Sequence, residues 1–311
     1  IVNDGSHTQF TQEVKFTGSI ADGLLDFVGG VFYFHEDNTT DFADIFTLPI
    51  APPPDGFPLL LADRTLENTA EAWAGYLQAD LNLTDQLTLT AGIRYTDETK
   101  TFSIRDNRAR VGASNLCTAA NQFGPSPCIE NANLVAGNGA PIPTEQSVDL
   151  WTPRFAINYA PSDEILLFAS ATRGFKSGGW NARGTTPNLL FPFGPETAWS
   201  YEAGAKTELF DNLLRFNVTG FWLDVQDLQT PSAFVAPDGS LTFITRNFAD
   251  YENKGVEVEI TTVPVEGLNL FAAIGYQDDE YDIDPNAPPL DEFGVQSVAA
   301  QQQDCLAQLA A

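Results

Sequence analysis

Residues 87–96 read LTLTAGIRYT, and this stretch decides the fold. Apolar residues alternate there with polar or small ones from Leu87 to Tyr95. A period of two predicts a β-strand with one apolar and one polar face. The same alternation recurs in three further segments: 151–159, 256–260 and 268–276. The sequence therefore predicts an all-β chain built from two-faced strands.

The connections between the predicted strands are of two kinds. Tight turns rich in Asp, Asn, Gly or Pro are predicted at five places: 21–23, 84–86, 161–163, 210–212 and 265–267. Long connections are predicted at 37–67, 104–147, 177–197 and 230–240, with another beginning near 279. Because the two kinds alternate along the chain, we expect every tight turn at one end of the sheet and every long loop at the other.

The predicted strands are long, and aromatic residues lie near their ends. Strands at 70–83, 87–103 and 213–229 exceed the roughly 5–6 residues of soluble strands and the about 9–11 that a membrane strand needs. Rings occur near strand ends at Phe32, Tyr33, Phe34, Tyr95, Trp151, Tyr159, Tyr201, Phe221, Trp222 and Tyr276. Aromatic belts at both interfaces are typical of membrane barrels. We predict an antiparallel up-and-down transmembrane β-barrel; the core of a large soluble β-sandwich is the alternative.

The charge and the histidine content argue against nucleic-acid binding and against catalysis. The formal net charge of −27 argues against nucleic-acid binding, which needs a basic surface. The two histidines, His7 and His35, form no recognisable triad with Ser or Cys. We therefore expect a protein that is not an enzyme and carries no cofactor.

The chain has three cysteines. Cys117 and Cys128 lie in one loop and are predicted to form a disulfide in an oxidising compartment. Cys305 is left over, and is either free or bonded to a cysteine beyond this sequence.

Four motifs carry a family resemblance. They are RGFKSGGWN at 173–181, PETAWSYEAGAK at 195–206, KGVEVE at 254–259 and AGIRY at 91–95. In this order and spacing they resemble the barrel of a TonB-dependent outer-membrane receptor. The resemblance implies a barrel of about 22 strands around an N-terminal plug. It also implies the bacterial outer membrane, with short periplasmic turns and long extracellular loops.

The resemblance further implies energy-coupled uptake of a bulky, scarce ligand, most often a ferric siderophore. The implied partners are a periplasmic TonB complex, outer-membrane lipid and lipopolysaccharide. We count about ten strands, and so expect residues 1–311 to be a partial barrel without the plug and the C-terminal strands. Two alternatives stay open: a soluble secreted carbohydrate-binding or adhesin module, and a passive porin-like channel.

Candidate ligand-binding residues cluster where a strand meets a long loop. They are Arg173, Lys176, Trp180 and Arg183, with Arg154 on an inferred lumen face. In one hypothesis the cations bind an anionic chelate and the aromatic ring stacks on it. In the other, the motif is structural, with glycines for a bend and cations for lipopolysaccharide phosphates. Further charged residues are inferred to face the lumen and to pair with one another or with a plug: Arg94, Lys206, Arg215, Glu202, Glu257 and Glu259.

Two acidic segments raise the question of metal binding. Residues 35–37, His-Glu-Asp, lack two further ligands, and the acidic run over 278–284 lacks the glycine and spacing of an EF-hand. We therefore predict no metal site, and a solvated loop at 278–284.

Overall fold

The computed structural model describes residues 2–48, 57–110, 128–235 except 183 and 185, 241–283, and 294–310 except 295. The strands are β1 Val2–Ile20, β2 Leu25–Leu48, β3 Phe57–Thr84, β4 Leu87–Asp106, β5 Glu145–Ser162, β6 Ile165–Lys176, β7 Gly179–Trp180, β8 Pro192–Phe193, β9 Glu196–Leu209, β10 Leu214–Gln226, β11 Gln229–Val235, β12 Leu241–Asn247, β13 Asp250–Val265 and β14 Leu268–Asp282. The helices are α1 Asn107–Arg110 and α2 Val298–Ala310, with 3₁₀ turns at Asn131–Asn133 and Pro187–Leu189. None of the helices in these ranges combines the length and apolarity needed to span a membrane.

Ten strands form one antiparallel sheet. Their order is β1-β2-β3-β4-β5-β6-β9-β10-β13-β14, so each strand pairs with the next long strand along the chain. The short pairs β7–β8 and β11–β12 are hairpins within the connections. Within the described residues β1 and β14 each pair on one side only, and the sheet is open. The predicted partial up-and-down barrel is confirmed.

All five predicted tight turns join neighbouring strands of this sheet. They occupy 21–24, 85–86, 163–164, 210–213 and 266–267. In the first turn Ala21 and Asp22 have φ of 53° and 54°, followed by Gly23 at 88°. These three consecutive left-handed conformations reverse the chain direction within four residues. Glycine is favoured at the third position because it adopts a positive φ without steric cost.

The long loop predicted at 37–67 is wrong. β2 continues to Leu48 and β3 begins at Phe57, with paired residues from Asp37↔Thr69 to Leu48↔Phe57 and one bulge after Asp44. Past the membrane, outward side chains meet water on either face, so the apolar alternation disappears while the backbone ladder continues. The 177–197 and 230–240 connections likewise contain strands, in β7, β8 and β11.

One side of the sheet, the apolar face, carries an aromatic belt. Directly paired residues of antiparallel strands share a face, and rings of neighbouring strands contact one another there, with centroids 4.4 Å apart in Tyr33–Trp73, 4.8 Å in Tyr95–Trp151 and 5.2 Å in Tyr201–Trp222. Below the belt the same face exposes Phe, Leu, Ile and Val towards the tight turns. An apolar band under a belt of rings is the lipid-facing pattern of a membrane barrel.

The opposite side, the polar face, carries the alternate residues. It includes Lys15, Tyr76, Arg94, Arg154 and Glu202. On this face the Phe168 ring lies over Gly204, its direct partner, and Phe221 lies over Gly255 in the same way. A ring that covers a strand glycine shields backbone that would otherwise meet water.

The long connections fold together over the polar face at the end opposite the tight turns. Their shared core joins side chains from three strands of the sheet with side chains from the connections: Phe42, Leu66, Phe102, Ile104, Ile129, Leu134, Ala136, Ile142, Leu189, Leu190, Phe191 and Ile244. We call this unit, the described residues of 128–144, 177–194 and 229–247, the loop cap. Ile129 and Leu190 are both 0% exposed, so the cap has a packed interior of its own.

Polar contacts tie the loop cap to the sheet and to itself. The side-chain amide of Asn181 donates to the Phe191 and Thr245 carbonyls, and its oxygen accepts from the Thr245 amide at 2.6 Å. The buried Arg64 guanidinium donates to the Gly184 carbonyl at 2.7 Å. These bonds satisfy polar groups that the packed cap removes from water, and so fix how its segments sit on the strands.

Candidate ligand-binding site

Two arginines that lack an acidic partner among the described residues lie in the middle of the polar face. Arg154 donates to the Thr172 hydroxyl at 3.1 Å, and Arg94 donates to the Thr96 hydroxyl and lies 5.4 Å from the Phe32 ring. Neither guanidinium forms an ion pair with a described carboxylate. Among the described residues, the charges predicted for the lumen face form no ion pair with one another; Arg215 instead pairs with Glu208, 2.6 Å away. Pairing with a plug stays a prediction.

The strand register places the predicted ligand-binding residues of β6 on opposite faces of the sheet. Lys176 lies on the polar face, 3.7 Å from the carboxylate of Glu196, its partner on β9. Arg173 is three residues earlier on the same strand and therefore lies on the apolar face, directly opposite Trp199. Arg183 lies outside the described residues. The two predicted cations of β6 thus cannot act on one ligand.

Trp180 joins the sheet to the loop cap. Its ring stacks on Phe102 of β4, with centroids 5.4 Å apart, and its indole N–H donates to the Pro143 carbonyl at 2.7 Å. The sequence analysis predicted that this ring would stack on a ligand. In the structure one ring face is used by Phe102, and the half-buried remainder forms part of a pocket wall.

A pocket of about 230 Å³ lies between the loop cap and the polar face, and we call it the under-cap pocket. Its walls combine rings, side-chain amides, backbone and two charges, from Glu36, Asn38, Asn68, Thr69, Ala70, Lys100, Thr101, Phe102, Gly178, Gly179, Trp180 and Ala182. The Lys100 ammonium is held by the Gly178 carbonyl at 3.1 Å and by Glu98 at 3.5 Å. The Glu36 carboxylate lies 3.2 Å from the His7 ring.

The size of the under-cap pocket decides what it can bind. Ligand pockets commonly measure about 300–1,000 Å³. At about 230 Å³ the under-cap pocket accommodates one polar or aromatic group of a larger ligand and not the whole of it. Lys100 and Glu36 contribute one charge of each sign, and Trp180 and Phe102 offer an apolar wall, so the pocket suits a polar or aromatic group.

A larger hollow, of about 600 Å³, opens on the apolar face among Tyr201, Trp222 and Tyr276. Its walls belong to the aromatic belt, so it faces lipid and lies away from the polar groups that could bind a soluble ligand.

As far as the structure describes them, the two acidic segments do not bring together enough side chains to bind a metal ion. Alternation along β2 sends His35 and Asp37 to the apolar face, where they lie 3.1 Å apart, and Glu36 to the polar face. The solvated loop predicted at 278–284 is wrong as far as Asp282, because β14 runs to that residue and its acidic side chains alternate between faces. The described residues contain no group of three His, Cys, Asp or Glu placed to hold a metal ion.

The cysteines are partly described. Cys128 is disulfide-bonded, and Cys305 is free and exposed on α2. Cys117, the predicted partner, lies outside the described residues. The pairing of Cys117 with Cys128 stays a prediction.

Sequence reasoning missed Lys100 and Phe102 as pocket residues. Both lie on a strand predicted correctly, but their neighbours Trp180 and Gly178 come from another connection. Only the folding of the loop cap brings these segments together, and no local pattern reports that contact.

Comparison with known proteins identifies the architecture. The model of the family described as TonB dependent receptor-like, beta-barrel, matches residues 2–295. The chain belongs to the TonB-dependent receptor family. Its ten-strand sheet is part of a β-barrel of the bacterial outer membrane, with the tight turns on the periplasmic side and the loop cap outside the cell.

Two curated relatives of this TonB-dependent receptor barrel come from pseudomonads. The metal-pseudopaline receptor CntO of Pseudomonas aeruginosa is 28% identical over 144 residues, 46% of this chain and 19% of that protein. The ferric-pyoverdine 358 receptor of Pseudomonas putida is 25% identical over 210 residues, 67% of this chain and 22% of that protein. The matched regions thus span about a fifth of either relative's length.

A solved structure shows the same fold. The ferric yersiniabactin uptake receptor FyuA of Yersinia pestis aligns with a TM-score of 0.64 at 17% identity, over 91% of this chain and 37% of that one. The long, turn-linked strands of this chain therefore correspond to somewhat over a third of a complete receptor of this fold.

Proposed function

We propose that this protein is an outer-membrane receptor that takes up a bulky, anionic metal chelate, with a ferric siderophore as the leading ligand class. Energy would come from the periplasmic TonB complex. Membership of the TonB-dependent receptor family and an outer-membrane location argue against a soluble secreted carbohydrate-binding or adhesin module. The relatives, a metal-pseudopaline receptor and a ferric-pyoverdine receptor, support a metal chelate as the ligand.

The observation that carries the proposal is a pair of arginines on the polar face that lack an acidic partner among the described residues. The chain has 42 acidic and 15 basic side chains, yet Arg94 and Arg154 have no carboxylate within ion-pair distance among the described residues. In so acidic a protein, a cation kept apart from carboxylates suits an anion that arrives from outside. The under-cap pocket lies on the same face, nearer the cell exterior, and would bind one group of that ligand first.

The test is metal uptake by cells that lack the gene and carry it on a plasmid. We expect uptake of radiolabelled iron from at least one ferric chelate, presented as catecholate, hydroxamate and carboxylate types, and loss of uptake when the proton gradient is collapsed. A passive porin-like channel would keep transporting after the collapse. Uptake of none of the chelates would contradict the proposal.

A matched pair of variants tests the site. Arg154→Gln should weaken binding of the transported chelate about tenfold, the value expected for one hydrogen bond to a charged group. Arg215→Gln is the control, because Arg215 lies on the same face but is neutralised by Glu208 near the tight turns. Equal losses in both variants, or none in Arg154→Gln, would count against Arg154 as a ligand-binding residue.

A further inference from the structure

An arginine interrupts the aromatic belt. On the five strands that rise from a tight turn, the residue eight positions after the first faces outward at the belt. On four of them it is aromatic: Tyr33, Tyr95, Trp222 and Tyr276. On β6 it is Arg173. The belt position of β6 therefore carries a charge where the other four rising strands carry a ring.

The register places Arg173 firmly on the lipid side. It is directly opposite Trp199 of β9, whose ring stacks on Tyr201 within the belt at 5.7 Å. Eight steps of about 3.3 Å give roughly 26 Å along the strand, which at a tilt of about 35–45° rises about 18–22 Å, close to the top of an apolar band about 25 Å tall. Arg173 thus stands at the edge of the band that faces the extracellular loops, at the depth of outer-leaflet headgroups.

Among the residues that the structure describes, Arg173 has no partner for its charge. No described carboxylate, carbonyl or hydroxyl forms an ion pair or hydrogen bond with it. The other outward cations differ: Lys254 lies 4.0 Å from Asp278, and Arg105, further from the membrane, lies 2.6 Å from Glu67. Arginine at this depth costs about 0–1 kcal/mol on a barrel surface, so the position is tolerated without a partner but leaves five N–H donors unused.

We propose that Arg173 binds a phosphate group of the lipopolysaccharide in the outer leaflet. The guanidinium fork matches two phosphate oxygens, and the flanking Trp199 ring suits the boundary between headgroup and acyl chain. A net charge of −27 would repel an anionic glycolipid, so one unpaired outward cation gives the contact a fixed place. The role is independent of the transported ligand, because Arg173 and the under-cap pocket lie on opposite faces.

The experiment uses the complete receptor, extracted from outer membranes in mild detergent. Bisphosphorylated lipid A is titrated onto delipidated receptor and counted by native mass spectrometry. Arg173→Tyr installs the ring type of the other rising strands, and Arg173→Gln removes only the charge. Both should bind lipid A about fivefold more weakly, the change that corresponds to about 1 kcal/mol for one cation at a charged membrane surface. Arg173→Lys should keep most of the affinity.

Controls separate the phosphate contact from general adhesion. Arg105→Gln removes an outward arginine that Glu67 already neutralises, and should leave binding unchanged. Dephosphorylated lipid A should bind wild type and Arg173→Gln equally. The proposal is overturned if Arg173→Gln binds lipid A like wild type, if Arg105→Gln loses as much, or if phosphatidylglycerol competes as well as lipid A. Arg173→Gln gives the same readout should Arg173→Tyr fail to insert.

Discussion

The Trp180 ring lies on the Phe102 ring at 15° between planes, and this stack joins a cap segment to the sheet. Phe102 belongs to the loop-cap core and is 3% exposed. The contact therefore joins the end of β4 to the connection after β6, and its two rings form part of the wall of the under-cap pocket. Loosening it should disturb the outer end of the protein while leaving the membrane strands in place.

Trp180→Ala should destabilise the loop cap by roughly 2 kcal/mol, since it removes a half-buried ring, its stacking contact and the hydrogen bond to Pro143. Limited proteolysis should cut the 177–194 connection faster, with the barrel strands still protected. Trp73→Ala is the control, because Trp73 is an exposed belt ring on the other face. Proteolysis at the wild-type rate in Trp180→Ala would show that the stack does not hold the cap.

Gly204→Ala should destabilise the sheet by about 1–3 kcal/mol, because an added Cβ would lie 2.3 Å from the Val218 carbonyl and 2.9 Å from the Phe168 ring. The measurement is unfolding in urea of receptor folded in detergent micelles. Gly75→Ala, on β3 of the same sheet, is the control, because nothing lies within 4 Å of the added atom there. Equal stability of both variants would remove close approach as the reason for glycine at 204.

Reduction should loosen the connection that contains Cys128, which is disulfide-bonded. Closing a short loop with a disulfide stabilises by about 2–4 kcal/mol. Non-reducing peptide mapping should find the Cys128 peptide linked to the Cys117 peptide, with Cys305 alkylated because it is free and exposed. A Cys128 peptide linked to any other cysteine would contradict the predicted pairing.

Asp227→Asn should stabilise the junction between β10 and the cap at neutral pH. Partial burial and the neighbouring Asp250 carboxylate raise the pKa of Asp227 above its ordinary value of 3.8. A carboxyl with a raised folded-state pKa contributes stability below pH 3.8, and that stability is lost as pH rises through the folded-state pKa. Because Asp227 remains largely exposed despite its partial burial, solvent screening should keep the gain small, about 0.5 kcal/mol.

The check for Asp227→Asn is thermal unfolding between pH 4 and pH 7, where the advantage of the variant should grow with pH. Asp211→Asn controls for the backbone effect, since Asp211 and Asp227 both have positive φ, at 53° and 57°. An advantage that shrinks as pH rises would contradict the assigned direction of the pKa shift.

Prediction from sequence succeeded where one face meets lipid. There the lipid environment requires an apolar residue at every second position, and the sequence from Leu87 to Tyr95 shows this alternation directly. The tight turns were also readable, because φ values such as that of Gly23 restrict which residues can stand there. Residues 37–48 were misassigned because, past the membrane, the strand is held by backbone hydrogen bonds that leave no mark on side-chain choice.

The sequence by itself determined the alternation, the turn side and the family motifs, since each is a local response to lipid, to backbone geometry or to a neighbouring strand. Only the tertiary structure decided that Arg173 faces lipid while Lys176 faces inward, and that Lys100 meets Trp180 under the cap. The placement of Arg173 and Lys176 depends on whether the odd- or the even-numbered residues of β6 face lipid. The glycine-rich end of that strand obscures this alternation in the sequence. The proximity of Lys100 to Trp180 depends on packing between segments far apart in the chain, and such contacts leave no local periodicity.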